Sequence, residues 1–128
     1  MNKNLIANSM SEAELQSNVI ELAHTLGYLC HAERPAQNTK GQWRTAIQGD
    51  KGFPDLVMTK HTSIIIVELK SEKGRLSQMQ SLWLNHFGAL TPYNASLSVR
   101  IWRPSDWLDG TIEKELMTPC PGAMKGTG

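Results

Sequence analysis

Apolar residues recur at Leu15, Val19, Leu22, Ala23 and Leu26, a spacing that lines one face of a helix. Ser11 stands ahead of this stripe with Glu14 three residues on, the form of a capping box, and Gly27 is placed to end the helix. Residues 1–10 carry no comparable stripe and are expected to be a loose leader. Tyr28 to His31 fits a short strand. Residues 34–52 are polar, hold Pro35, Gly41, Gly49 and Gly52, and read as a long connection of a kind that is often functional. Residues 54–58 and 64–70 read as two strands joined by a polar turn over 59–63, an antiparallel hairpin. The nearly continuous apolar run of the second strand predicts cover on both faces and a place near the middle of a sheet.

After a loop at Lys73-Gly74, Ser77 opens a second helix, with Gln80 as its capping partner and an apolar face of Met79, Leu82, Trp83, Phe87 and Leu90. Pro92 breaks this pattern. Leu97 to Trp102 is a further strand, closed by Pro104, and Ser105 is expected to cap a short last helix with Trp107 and Leu108 packed inward. Residues 118–128 are rich in Gly, Pro and Thr and are expected to be disordered. The order helix, strand, loop, hairpin, helix, strand, helix describes one α/β domain over residues 11–117, a mixed sheet flanked by the two longer helices.

Composition narrows the class. With 40% apolar and 20% charged residues, the 128-residue chain can build a core without staples. Cys30 and Cys120 have no partners at metal-ligand spacing and read as free thiols in a reducing compartment. The N-terminus lacks the apolar stretch of a signal peptide, and no run approaches a membrane span, so a cytosolic protein is expected. A net charge of +1 excludes a polybasic binder and leaves nucleic-acid contact to local clusters.

The chemistry concentrates in Gly52-Phe53-Pro54-Asp55-Leu56 and, thirteen residues after Asp55, Glu68-Leu69-Lys70. Side chains alternate along a strand, so Glu68 and Lys70 point the same way. Asp55 starts the neighbouring strand of the hairpin. Two carboxylates and an ammonium can therefore converge at one end of a sheet. A carboxylate beside an apolar core is costly unless paired or metal-bound, and a divalent cation removes the repulsion between two of them. Hard oxygen ligands favour Mg²⁺ or Mn²⁺ over zinc. The reaction that fits is hydrolysis of a phosphodiester. The competing reading is a strand-end salt bridge between Glu68 and Lys70, with Asp55 a turn residue.

Three segments, Glu12 to Gln16 (E-x-E-L-Q), G-F-P-D-L, and V-E-L-K-S-E-K-G-R-L-S-x-x-Q-x-x-W, resemble the VRR-NUC (virus-type replication-repair nuclease) family of the PD-(D/E)xK superfamily. The later R-I-W-R-P-S-D resembles that family's last core strand and the turn after it, so the likeness covers roughly residues 11–108. The resemblance implies a restriction-endonuclease-like fold, a central mixed β-sheet flanked by helices, and structure-selective cleavage of DNA with Mg²⁺ or Mn²⁺. It implies a stand-alone phage or bacterial homodimer similar to Holliday-junction resolvases, with DNA products carrying a 5′-phosphate and a 3′-hydroxyl. Asp55 and Glu68 match the metal-binding acids, Lys70 the catalytic lysine, and the Leu69 backbone carbonyl a further metal ligand. Glu12 matches the first-helix glutamate that reaches the metal, with Glu14 its competitor, although each has an ordinary role in the first turn of a helix. Gln80 matches a glutamine near the family's site and serves equally as a cap.

Lys73 and Arg75 flank the site and could bind phosphates or be solvated. Arg34, Lys40, Arg44 and Lys51 could form a basic arm, and Trp43 could stack on a base or anchor the loop to the core or to a dimer partner. The scattered His24, His31, His61 and His86 form no zinc pattern. Three functions compete. One is a junction-cutting nuclease. Another is a nuclease for flaps, forks or nicked duplex. The last is a non-catalytic DNA-binding module that keeps the fold.

Overall fold

The computed structural model describes residues 2–33, 36–37, 39–44 and 46–118. Arg34, the tail residues 119–128 with Cys120, and the side chain of Arg44 lie outside this description.

Among the described residues, five helices and six strands follow in the order α1 Lys3–Ser9, α2 Glu12–Thr25, β1 Leu29–Ala32, β2 Ala36–Gln37, β3 Trp43–Arg44, β4 Leu56–Lys60, β5 Ser63–Leu69, α3 Gln78–Gly88, β6 Leu97–Trp102, α4 Pro104–Leu108 and α5 Thr111–Met117. A 3-10 turn at Thr91–Tyr93, with Pro92 inside it, separates α3 from β6. The main sheet has the order β1-β4-β5-β6, antiparallel except for the parallel β5–β6 pair. It is thus the mixed sheet of an α/β domain that the sequence predicts.

Both predicted capping boxes form. Ser11 caps α2 with Glu14 closing the box, and Ser77 caps α3 with Gln80. Leu15, Val19 and Ala23 of α2 are buried against Leu56 and Met58 of β4, Ile65, Val67 and Leu69 of β5, and Trp102 of β6. Alternation sends Ile64, Ile66 and Glu68 of β5 to the opposite face, where Leu84 of α3 shares a groove with Leu97, Val99 and Ile101. Helices therefore cover both faces of β5, which explains its nearly unbroken burial.

Four expectations need correction. Residues 3–9 are a helix rather than a loose leader: Asn2 caps α1, Ala7 is buried, and α1 packs on α4. The hairpin turn is shorter than residues 59–63, because β4 runs to Lys60 and β5 starts at Ser63. The turn is His61-Thr62, with His61 in the left-handed region at φ 55°. The last short helix is capped at Arg103, not Ser105: Asp106 accepts the Arg103 backbone N–H at 2.8 Å, and Pro104 takes the first helical position. A further helix, α5, follows and buries Ile112 and Leu116, whose carbonyl accepts the Tyr28 hydroxyl at 2.7 Å. The long connection contains a two-residue ribbon, β2 against β3. Among the described residues no helix is long and apolar enough to cross a membrane.

Candidate active site

Register builds the site. Leu56 of β4 faces Val67 of β5, so Asp55, one step earlier, stands opposite Glu68 on the same side of the sheet. Asp55 Oδ2 accepts the Leu69 backbone N–H at 2.8 Å, which fixes the aspartate against the end of β5. Glu68 is 1% exposed, and among the described residues its carboxyl oxygens have no partner other than the facing Asp55 carboxyl. Lys70 follows at the strand end, its backbone N–H donating to the Trp102 carbonyl at 3.1 Å. Its ammonium lies close enough to favour the ionised forms of both acids.

Glu12 and Glu14 are separated by the same geometry. Glu14 Oε1 accepts the Ser11 backbone N–H at 3.2 Å and closes the cap. Glu12 instead reaches the strand end, where Oε2 accepts the Ser71 backbone N–H at 3.4 Å, and its charge acts on both Asp55 and Glu68. Burial raises the Asp55 carboxyl above its ordinary value. Burial and the facing Asp55 push Glu68 from 4.5 up to about 8. Two acids pressed together in this way, with the single Lys70 ammonium beside them, form a site short of positive charge.

The VRR-NUC domain matches residues 5–92, a span that contains Glu12, Asp55, Glu68 and Lys70. The chain belongs to the VRR-NUC family. A VRR-NUC domain is a nuclease domain, so DNA is the substrate class and endonucleolytic hydrolysis the activity. No curated protein matches the chain. The match ends before β6, so the last strand and the two short helices that brace the site lie beyond it.

Within the VRR-NUC site, donor chemistry sorts the possible ligands. Among the described residues no group of three His, Cys, Asp or Glu side chains forms a ready cage. The oxygen donors gathered at the strand end are the carboxyls of Asp55 and Glu68, with Glu12 on the Ser71 backbone N–H. An all-oxygen, incomplete protein set suits a Mg²⁺-like ion, which keeps several of its waters, and does not suit structural zinc. The buried Glu68 carboxyl, facing a second acid and no nitrogen or hydroxyl donor among the described residues, is the observation that makes such an ion fit.

The other candidates distribute unevenly. Gln80 spends its Oε1 on the Ser77 backbone N–H at 2.8 Å, so its cap role is realised. Lys73 and Arg75 are exposed on the loop after Lys70 and border the site. Lys40 and Lys51 are exposed on the long connection. Trp43 is 69% exposed, which removes the expectation that it anchors this loop on the chain's own core. Sequence reasoning missed Arg103. Its Nη1 donates to the carbonyls of Ser71, Glu72 and Gly74 at 2.8, 3.2 and 2.7 Å, pinning the loop that follows Lys70. Glu72 answers by accepting the Ser105 backbone N–H at 2.9 Å. The only signal was the R-P-S-D run after an apolar strand. A groove between α3 and β6 lies on the same face of the sheet and reaches Ile101, the register neighbour of Glu68. Asp55 and Glu68 stand at the end of β5, the first half-buried and the second buried.

Burial of Glu68 against a second acid affects stability. Between pH 4.5 and about 8 the unfolded chain releases the Glu68 proton while the folded chain retains it, so stability without metal falls as pH rises through that window. Glu68→Gln removes this charge and offers an amide donor to Asp55. A buried unpaired polar group costs about 1–3 kcal/mol, so the metal-free variant should melt roughly 4–10 °C above wild type near pH 8. The gap should shrink toward pH 5. Melting curves in chelator at both pH values check this; a variant less stable than wild type at pH 8 contradicts it.

Proposed function

We propose that this VRR-NUC chain is a structure-selective DNA endonuclease that depends on Mg²⁺ or Mn²⁺ and cuts branched DNA, four-way junctions foremost, as a homodimer. The observation that carries the metal dependence is the buried Glu68 carboxyl, which faces Asp55 and has no nitrogen or hydroxyl donor among the described residues. Asp55, Glu68 and the Leu69 carbonyl would hold the ion, with Glu12 reaching it directly or through water. A divalent ion there supplies Lewis-acid polarisation of the scissile phosphate and a more acidic bound water. Asp55 is kept in place by the Leu69 N–H, so its free oxygen is presented rather than searching. Lys70 directs an ammonium to the same point, where it can orient the attacking water and stabilise charge that develops on the phosphate. Exposed Lys73 and Arg75 offer phosphate contacts beside the cut and position the duplex arms.

Branched DNA is favoured over plain duplex by charge. At a net +1, phosphate neutralisation gives little non-specific affinity, so selectivity must come from a bent or open structure. A two-fold junction needs two paired cuts, which a symmetric dimer supplies. The test is a panel of four-way junction, flap, fork and linear duplex at one salt concentration with Mg²⁺ or Mn²⁺, alongside mass measurement in solution. The reading expects a dimer and paired nicks on the junction at a rate at least about tenfold above duplex, a preference of roughly 1.4 kcal/mol. A monomer that cuts flaps best transfers the assignment to flap cleavage. No cleavage of any substrate with either metal leaves a passive DNA-binding module.

A further inference from the structure

We propose that Trp83 and Gly52 are positioning residues for Asp55, pinning the segment that delivers it onto the first turns of α3. Trp83 Nε1 donates to the Lys51 carbonyl at 3.0 Å. The next residue, Gly52, has φ +90°, and a Cβ placed there would stand 2.8 Å from the backbone carbon of Met79 and 3.0 Å from the Gln80 nitrogen. Only glycine allows both that conformation and that approach. Phe53 then meets Trp83 edge-on at 5.0 Å and Phe87 at 6.1 Å, and Pro54 is buried. Asp55 comes immediately after. The aspartate is therefore held upstream by α3 and ahead by the Leu69 N–H, two supports on different elements. The Ser77–Gln80 capping box fixes the α3 turn against which Gly52 lies. Gln80 thereby supports the site through the helix rather than through its own side chain. With the upstream support cut, both the Leu69 hydrogen bond and the carboxylate's aim toward Glu68 should loosen.

The inference rests on the reading of Asp55 as a metal ligand, but one of its readouts needs no metal. Trp83→Phe keeps the ring contacts and loses the N–H. Gly52→Ala forces the loop away from Met79. Leu84→Ala, in the same helix but buried toward β6, serves as the control for general weakening. Hydrogen exchange of the Leu69 amide in metal-free protein should speed up about tenfold in both loop variants beyond any change in neighbouring β5 amides. Mn²⁺ affinity by calorimetry should fall about tenfold or more, the range for residues that orient a metal ligand. Leu84→Ala should melt earlier and leave both readouts at wild-type values. Unchanged Leu69 exchange in Trp83→Phe and Gly52→Ala overturns the positioning role. Faster exchange in a protein whose wild type takes up no Mn²⁺ would keep the positioning role and count against the metal-dependent reading instead.

Discussion

Asp55→Asn is expected to lower DNA cleavage by about three orders of magnitude or more while the protein folds normally. Fold is preserved because an asparagine carbonyl can still accept the Leu69 N–H that Asp55 accepts at 2.8 Å. Function is lost because the amide is neutral and brings a donor where a cation should bind. That donor faces the Glu68 carboxylate, which has no other partner among the described residues, so the variant satisfies a buried acid and blocks the site at once. Each tenfold in rate corresponds to about 1.4 kcal/mol of barrier, and charge stabilisation by a bound divalent ion is worth several kcal/mol. Single-turnover cleavage of a junction at saturating protein checks the size of the loss. Rates within tenfold of wild type would mean that Asp55 holds nothing the reaction needs.

Lys70→Ala is expected to cost roughly 10²–10³ in the cleavage step, the range for removing one donor aimed at developing charge. The two variants should part company in metal binding. The Lys70 ammonium lies near Asp55 and Glu68 and favours their ionised forms, so it competes with a cation for the same field. Its removal should leave Mn²⁺ affinity equal to or above wild type, whereas Asp55→Asn should lower it. DNA binding in Ca²⁺, which supports binding without fast hydrolysis, should be nearly unchanged in Lys70→Ala because Lys73 and Arg75 remain exposed beside the site. A Lys70→Ala protein that cleaves at the wild-type rate, or that loses metal along with activity, would give the lysine a different job.

What could be read from the chain was what local chemistry encodes. Ser11 with Glu14 and Ser77 with Gln80 announce two helix starts through hydroxyl and side-chain acceptors three residues apart, and both boxes form. An acid inside Ile-Ile-Ile-Val-x-Leu announces a strand that buries a charge, and Glu68 is buried. What could not be read depends on distant partners. The α1 segment, with Leu5, Ile6 and Ala7 as its only apolar run, becomes a helix because α4 lies against it. Likewise α5 buries just Ile112 and Leu116, one helical turn apart, and owes its order to the core they enter. Trp83 counted as one more apolar residue on a helix face. Its bond to the Lys51 carbonyl joins residues far apart in sequence and leaves no local trace. The Arg103 fork over the Ser71–Gly74 loop is hidden for the same reason. The contact of Glu12 with the Ser71 N–H joins residues far apart in sequence and leaves no local trace either.

The most direct measurement is Mn²⁺ titration of the wild-type protein and Glu68→Gln by calorimetry, with junction DNA present and absent. Specific binding to wild type that Glu68→Gln weakens at least tenfold is the expected result. Equal binding by both proteins, or heat no greater than that of dilution in both, would contradict a cation held between Asp55 and Glu68.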